Sequence, residues 1–240
     1  TDENGDGRID LSDVEYLMRN KKNTMTLLEG DGDFRSPECV ELLKEADIVV
    51  TNPPFSLFRD YVALLMQYNK QFAIIGNQNA ITYREVFPLI KSNKIWLGYN
   101  NGHYWFMVPD SYEEKKTDFK IDESGQKWRR MGNICWFTNL DIEKRHENMT
   151  LFRTYSPDIY PKYDNYDAIE VSKTADIPCD YDGYMGVPIT FMQYYNPEQF
   201  EIDGLDDHRV EWVGHGPRLN GKVKYRRVII RRKQVNTNEN

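Results

Sequence analysis

The sequence predicts an α/β protein: a mixed sheet flanked by helices, followed by a smaller, irregular C-terminal lobe. Three observations carry this. Amphipathic stretches and short apolar runs alternate between Pro37 and Gly98 in the order helix, strand, helix, strand, helix, strand. Two strand-like runs then follow with no helix between them. From about Asp141 the chain is rich in Tyr, Pro, Asp and Asn, with few clear helices.

The chain opens on Asp2-Glu3-Asn4-Gly5-Asp6-Gly7-Arg8-Ile9-Asp10, which fits the first nine positions of a calcium loop. Asp2, Asn4, Asp6 and the Arg8 carbonyl would be ligands, with Gly7 at the sharp turn. The twelfth position is Asp13, where a glutamate commonly chelates; half of a dockerin repeat, which this loop resembles, uses Asp there. No second loop pairs with it. The plainer alternative is an acidic, Gly-rich turn in which Asp10 or Ser12 caps a helix from about Leu11 to Arg19.

Gly30-Asp31-Gly32-Asp33-Phe34 is a tight turn whose backbone can approach a ligand closely. Ser36 then caps a helix with Pro37 at its first position and Glu38 in its first turn, running to about Ala46. The strand Asp47 to Val50 ends in Thr51-Asn52-Pro53-Pro54-Phe55. Each proline lacks an N–H and fixes its own φ, so the strand cannot continue. A stiff turn results at the carboxyl end of a strand, the edge where open α/β sheets bind ligands. A helix follows from Leu57 to Tyr68, then a strand Phe72 to Asn77, a helix Glu85 to Lys91 and a strand Lys94 to Gly98. His103 to Val108 and Ile134 to Thr138 flank a charged loop, as an antiparallel pair closing a parallel sheet would. Gly186 to Phe191 and Val223 to Ile230 are the expected strands of the last lobe. The polar end, Asn236 to Asn240, is expected to fray.

A net charge of −7 argues against a uniformly basic nucleic-acid binder, yet Arg218 to Lys233 holds eight basic residues and no acidic one. A local basic patch is enough for phosphate. Within it Lys222, Lys224, Arg226, Arg227, Arg231 and Arg232 are candidate DNA contacts, or else the solvated edge of a strand. No apolar run approaches the ~20 residues of a membrane span, and the first ten residues do not read as a secretory signal. Cys39, Cys135 and Cys179 are widely spaced and odd in number, which reads as reduced thiols in the cytoplasm. No long heptad face is present, so a monomer is expected.

The residues of the proline turn suggest a chemistry. An exocyclic amine on a base is a poor nucleophile because its lone pair is delocalised into the ring. The Asn52 side-chain oxygen and the Pro53 carbonyl can accept its hydrogens and favour a pyramidal nitrogen. Pro54 stiffens the turn, and Phe55 offers a face for stacking. Such a base would have to leave the duplex. The alternative is a purely structural proline turn.

Asn52-Pro53-Pro54-Phe55 after an apolar strand resembles the catalytic motif of amino-methyltransferases that use S-adenosylmethionine. Gly32-Asp33-Phe34 resembles their adenine-contacting motif. Together with Ile75-Gly76-Asn77, Ala80-Ile81-Thr82-Tyr83, Trp136 to Leu140 and Gly186 to Phe191, the chain from about Gly30 to Lys233 is similar to the EcoRI-type adenine-specific DNA methyltransferases. The resemblance implies a partial Rossmann-like methyltransferase sheet and methyl transfer from S-adenosylmethionine to adenine N6 in double-stranded DNA. Asn52 and Pro53 would hold the amine, and Asp33 and Phe34 the cofactor's adenine. Residues 30–140 would be the catalytic core and 141–240 a target-recognition lobe, after an acidic loop and helix at 1–29. A cognate restriction endonuclease is a partner such a system could carry. The family's Gly-rich cofactor loop is not found before Gly30, so the chain is expected to be an N-terminally truncated form with weak or no activity alone. The alternatives are a non-catalytic nucleic-acid-binding remnant, or a calcium-loop module on a degenerate core.

Overall fold

The computed structural model describes residues 4–8, 11–20, 27–205 and 216–233. The chain divides into two compact units, residues 1–46 and 47–240. The first holds two helices, α1 (Leu11–Arg19) and α2 (Pro37–Glu45). α2 starts as its sequence dictates: the Ser36 side chain accepts from the Cys39 N–H, with Pro37 in the first turn.

Among the described residues the second unit contains a five-stranded sheet, a four-stranded sheet and a two-stranded hairpin. In the first, β1 (Ile48–Thr51) lies parallel to β2 (Gln71–Asn77). A 3-10 turn (Phe55–Leu57) and the helix α3 (Phe58–Gln67) connect them. After β2 come another 3-10 turn (Gln78–Thr82) and a short helix α4 (Phe87–Lys91). Three more strands complete the sheet: β3 (Trp96–Met107), β4 (Phe119–Ile121) and β5 (Lys127–Thr138). The order is β1-β2-β5-β3, with β4 on the far part of β5. Thus β5 inserts antiparallel between β2 and β3. The alternating α/β reading holds, and so does the antiparallel closure.

Two expectations need correction. The runs Lys94–Gly98 and His103–Val108 belong to one strand, β3, because β5 offers a continuous partner across the Gly-Asn segment between them. Register shifts absorb the irregularity. The C-terminal lobe is also more regular than its composition suggests. β6 (Ala168–Glu170), β7 (Tyr184–Pro188), β8 (Phe200–Leu205) and β11 (Arg227–Arg232) form a four-stranded sheet in the order β6-β7-β11-β8. A hairpin of β9 (Arg218–Leu219) and β10 (Lys222–Val223) turns on Asn220-Gly221, both at positive φ, as a two-residue hairpin requires. The expected strand Gly186–Phe191 stops at Pro188 and gives way to a 3-10 turn.

The core of the first sheet is aromatic. Phe58 of α3 and Phe137 of β5 are buried with ring centroids 5.0 Å apart. Gly76 of β2 lies beneath them, where an added Cβ would fall 2.5 Å from Phe58 and 2.9 Å from Phe137. Gly76→Ala is therefore expected to overpack this point and lower stability by about 1–3 kcal/mol. A urea unfolding midpoint equal to that of the parent protein would show that the rings can give way.

One feature of the sheet bears on function. β2 ends at Asn77, which pairs with Ile134 of β5. Residues 127–133 of β5 and 104–107 of β3 run on past that point, paired with each other. They form an arm of about 20 Å, at ~3.3 Å per residue, which β4 widens at its end. Among the described residues no helix is long and apolar enough to cross a membrane.

Candidate active site

β1 and β2 are parallel, so both end at one edge of the sheet. Asn52 follows β1 there and is exposed, Pro53 is buried, and Pro54 and Phe55 are exposed. Pro54 is extended (φ −57°, ψ 124°), and its carbonyl accepts from the Leu57 N–H at 3.0 Å, starting the turn into α3. Pro53 thus anchors the turn from within. Among the described residues, the Asn52 amide and the Pro53 carbonyl are spent on no hydrogen bond. An exposed amide acceptor beside a backbone carbonyl on a rigid turn, followed by the exposed ring of Phe55, suits a planar ligand bearing an amine.

At the end of β2, the Asn77 side chain accepts from the Asn79 N–H. Gln78 is buried and its amide nitrogen has no hydrogen-bond partner among the described residues. A buried unpaired amide is costly, so Gln78 is a polar group of this edge that sequence reasoning missed. The only available signal was its place immediately after a strand ending in Gly-Asn. Arg59 of α3 lies 5.6 Å over the Tyr83 ring and 4.0 Å from Glu85, tying α3 to the segment after β2. Cys135, on β5 of the same sheet, is buried, and burial pushes its thiol up to about 12, which disfavours the thiolate.

Asp33 and Phe34 belong to the first unit. Arg35 grips the Asp33 carboxylate with two side-chain bonds, 2.7 and 3.0 Å, and the Arg35 backbone N–H donates a third at 2.8 Å. These bonds hold the Asp33 carboxyl down to about 2. It is ionised at any working pH and is purely an acceptor; Oδ1 takes both the backbone and the Nε bond of Arg35, and Oδ2, with one bond, keeps a second lone pair. Arg35 also covers the Phe34 ring at 5.3 Å. The sequence did not anticipate this clamp.

In the Asp2–Asp13 loop, Asp2 lies outside the described residues. Asn4 donates to Asp6 and Ser12, the Arg8 N–H donates to Asp6, and the buried Asp13 accepts from the Asn4 N–H. Among the described residues no three acidic, His or Cys side chains gather as a metal site would need.

The basic strand splits in two. Lys222, Lys224 and Arg226 are exposed. Arg227 corrects the expectation of a DNA contact. It is largely withdrawn from solvent and forks onto the buried Glu170 at 2.6–3.2 Å, because a carboxylate inside the sheet demands a counter-charge. Arg231 pairs with Glu201 at 2.8 Å and lies over Tyr184, while Arg232 is half-buried. A cleft of about 710 Å³ beside Glu170, lined also by Arg153, Tyr160 and Asp176, is remote in sequence from the Asn52 turn. Its deepest carboxylate is already satisfied by Arg227.

With this geometry in hand, comparison with known proteins decides the family. The family model described as adenine-specific methyltransferase EcoRI matches residues 1–233. The chain belongs to that family. It is 51% identical over 214 residues to the type II methyltransferase M.EcoRI of Escherichia coli, covering 86% of this chain and 64% of that relative. Against the type II methyltransferase M.MgeORF184P of Mycoplasma genitalium it is 41% identical over 241 residues, covering 92% and 75%. Against M.MpnI of Mycoplasma pneumoniae it is 40% identical over 229 residues, covering 86% and 70%. The chain thus spans about two thirds of the length of these relatives. No solved structure matches it. The family match includes the Asp2–Asp13 loop and the C-terminal sheet, so neither is foreign to the family.

Proposed function

We propose that this protein methylates adenine at N6 in double-stranded DNA, with S-adenosylmethionine as methyl donor. The observation that carries the reading is the exposed Asn52 amide next to the Pro53 carbonyl, on a proline-stiffened strand tip that leads into the exposed Phe55. In this reading the target adenine leaves the duplex and stacks on Phe55. Asn52 and Pro53 accept the two N6 hydrogens and turn the nitrogen lone pair outward. S-adenosylmethionine, when bound, supplies an electrophilic methyl group on a sulfonium that leaves as a neutral thioether. Asn52 and Pro53 hold the two N6 hydrogens, and once the N–C bond has formed the cationic nitrogen would lose one proton to solvent water at the exposed Asn52. The donor set fits the adenine end of the cofactor: Asp33 is a permanent acceptor for an exocyclic amine, and Phe34 offers a ring. Residues 30–140 would then serve catalysis and 141–240 target recognition, with Lys222, Lys224 and Arg226 on phosphates. The protein would act as a monomer in the cytoplasm, and a cognate endonuclease is the partner its type II relatives suggest.

The test is transfer of a tritiated methyl group from S-adenosylmethionine to duplex DNA by the protein expressed from its own gene. Label is expected in N6-methyladenine. Asp33→Asn is expected to raise the KM for the cofactor about tenfold, the scale of one charge-assisted hydrogen bond, with little change in kcat. Cofactor binding without label in adenine would overturn the reading.

A further inference from the structure

The arm formed by the ends of β3 and β5 has no role in the site described so far. It projects from the sheet edge at which β1 and β2 end, which is the edge carrying Asn52. Only β2 separates β1 from β5, so the root of the arm lies about 10 Å from the line of β1 at the usual strand spacing. Its strands bear large apolar side chains that the described residues leave partly exposed: Trp105 and Phe106 are about two-fifths exposed and Met107 is 65% exposed, with Met131 and Ile121 between them. A monomeric surface seldom leaves such a cluster without use.

The charges on the arm narrow what covers it. Residues 104–107, 119–121 and 127–133 include Lys120, Lys127, Arg129 and Arg130 and no acidic residue. Asp118 pairs with Arg130 at 3.5 Å, and Asp122 accepts from the Trp128 indole N–H. Lys127 and Arg129 instead donate to backbone carbonyls, which orient the cations without neutralising them. Lys120 stands over two rings, 4.7 Å from the Trp105 centroid and 5.8 Å from that of Trp128. Rings interleaved with cations suit nucleic acid. Two such arms facing each other would bring like charges together, which disfavours a second copy as the occupant.

We propose that this arm is a DNA-binding element, whose Trp105–Lys120–Trp128 face lies against the duplex flanking the target adenine. The position of the target rests on the function proposed above, because a base held at Asn52 brings its neighbouring duplex to this edge. Lys120 would meet phosphate, and Trp105 the exposed face of a displaced or neighbouring base.

Binding of a fluorescent mixed-sequence duplex, followed by anisotropy over a salt series, tests this in Trp105→Ala and Lys120→Ala. Both side chains lie outside the core, and thermal melts of each variant check that they fold. Trp105→Ala is expected to weaken binding about tenfold, the scale of one lost base–aromatic stack. Lys120→Ala is expected to lower the slope of log K against log salt by about 0.9. Unchanged affinity and slope in folded variants would overturn the inference while leaving methyl transfer standing. If the parent protein binds duplex but transfers no methyl group, the function fails and the arm is still judged on the variants. No duplex binding by the parent protein overturns both. Loss of self-association rather than of DNA binding in the variants would assign the arm to a protein interface instead.

Discussion

Asn52→Ala is expected to reduce methyl transfer by about 10²–10³-fold, the cost of removing one well-aimed hydrogen-bonding group from a polar active site. The loss should fall mainly on kcat. The amide orients the N6 lone pair as the nitrogen becomes pyramidal, and a ground-state base stacked on Phe55 needs that contact less. Stability should change by no more than about 0.5 kcal/mol, since Asn52 is exposed and its side chain bonds to none of the described residues. Asn52→Asp keeps an acceptor in the same place and should recover part of the rate. Single-turnover transfer at saturating cofactor, with duplex affinity measured in parallel, separates these effects. Equal rates for the parent and the alanine variant would reduce the Asn-Pro-Pro-Phe turn to a structural device.

That turn was readable because its information is local. Two prolines, a capped helix behind and an apolar strand ahead fix the backbone whatever the rest of the chain does. The β1–α3–β2 unit was readable for the same reason: each element is set by periodicity and by breakers within a few residues. β3 was not readable as one strand. Gly98 and Asn100-Asn101-Gly102 look like a break, and only the partner β5, thirty residues later, carries the strand through them. The C-terminal sheet was hidden by its connections. Its strands are three to six residues long, and their pairing joins positions such as Val187 and Val228 that no local signal relates. Arg227 shows the same limit at a single side chain. The sequence marks it as one cation in a basic run, and its role is set by a glutamate 57 positions away.

Arg227→Met is accordingly expected to be the most destabilising single change in this lobe. Glu170 is 3% exposed and Arg227 12%, and the guanidinium supplies three of the bonds to the carboxylate. Burial pushes the Glu170 carboxyl up, but hydrogen bonds from Arg227 and Tyr163, with the Arg227 charge, hold it below its ordinary value of 4.5. Its contribution is therefore present above pH 4.5 and lost as pH falls through the depressed value. Removing the arginine strands a charge in the sheet, at a cost of about 3–5 kcal/mol near neutral pH. In the variant burial dominates, so the Glu170 carboxyl should rise above 4.5 and protonate more readily. The gap between variant and parent, measured by urea unfolding, should then narrow as the pH is lowered, the opposite of what loss of packing alone would give. Glu170→Gln added to Arg227→Met removes the stranded charge and should restore part of the stability at neutral pH. A gap independent of pH, or a double variant no more stable than the single, would mean that Arg227 acts through its bulk and not its charge.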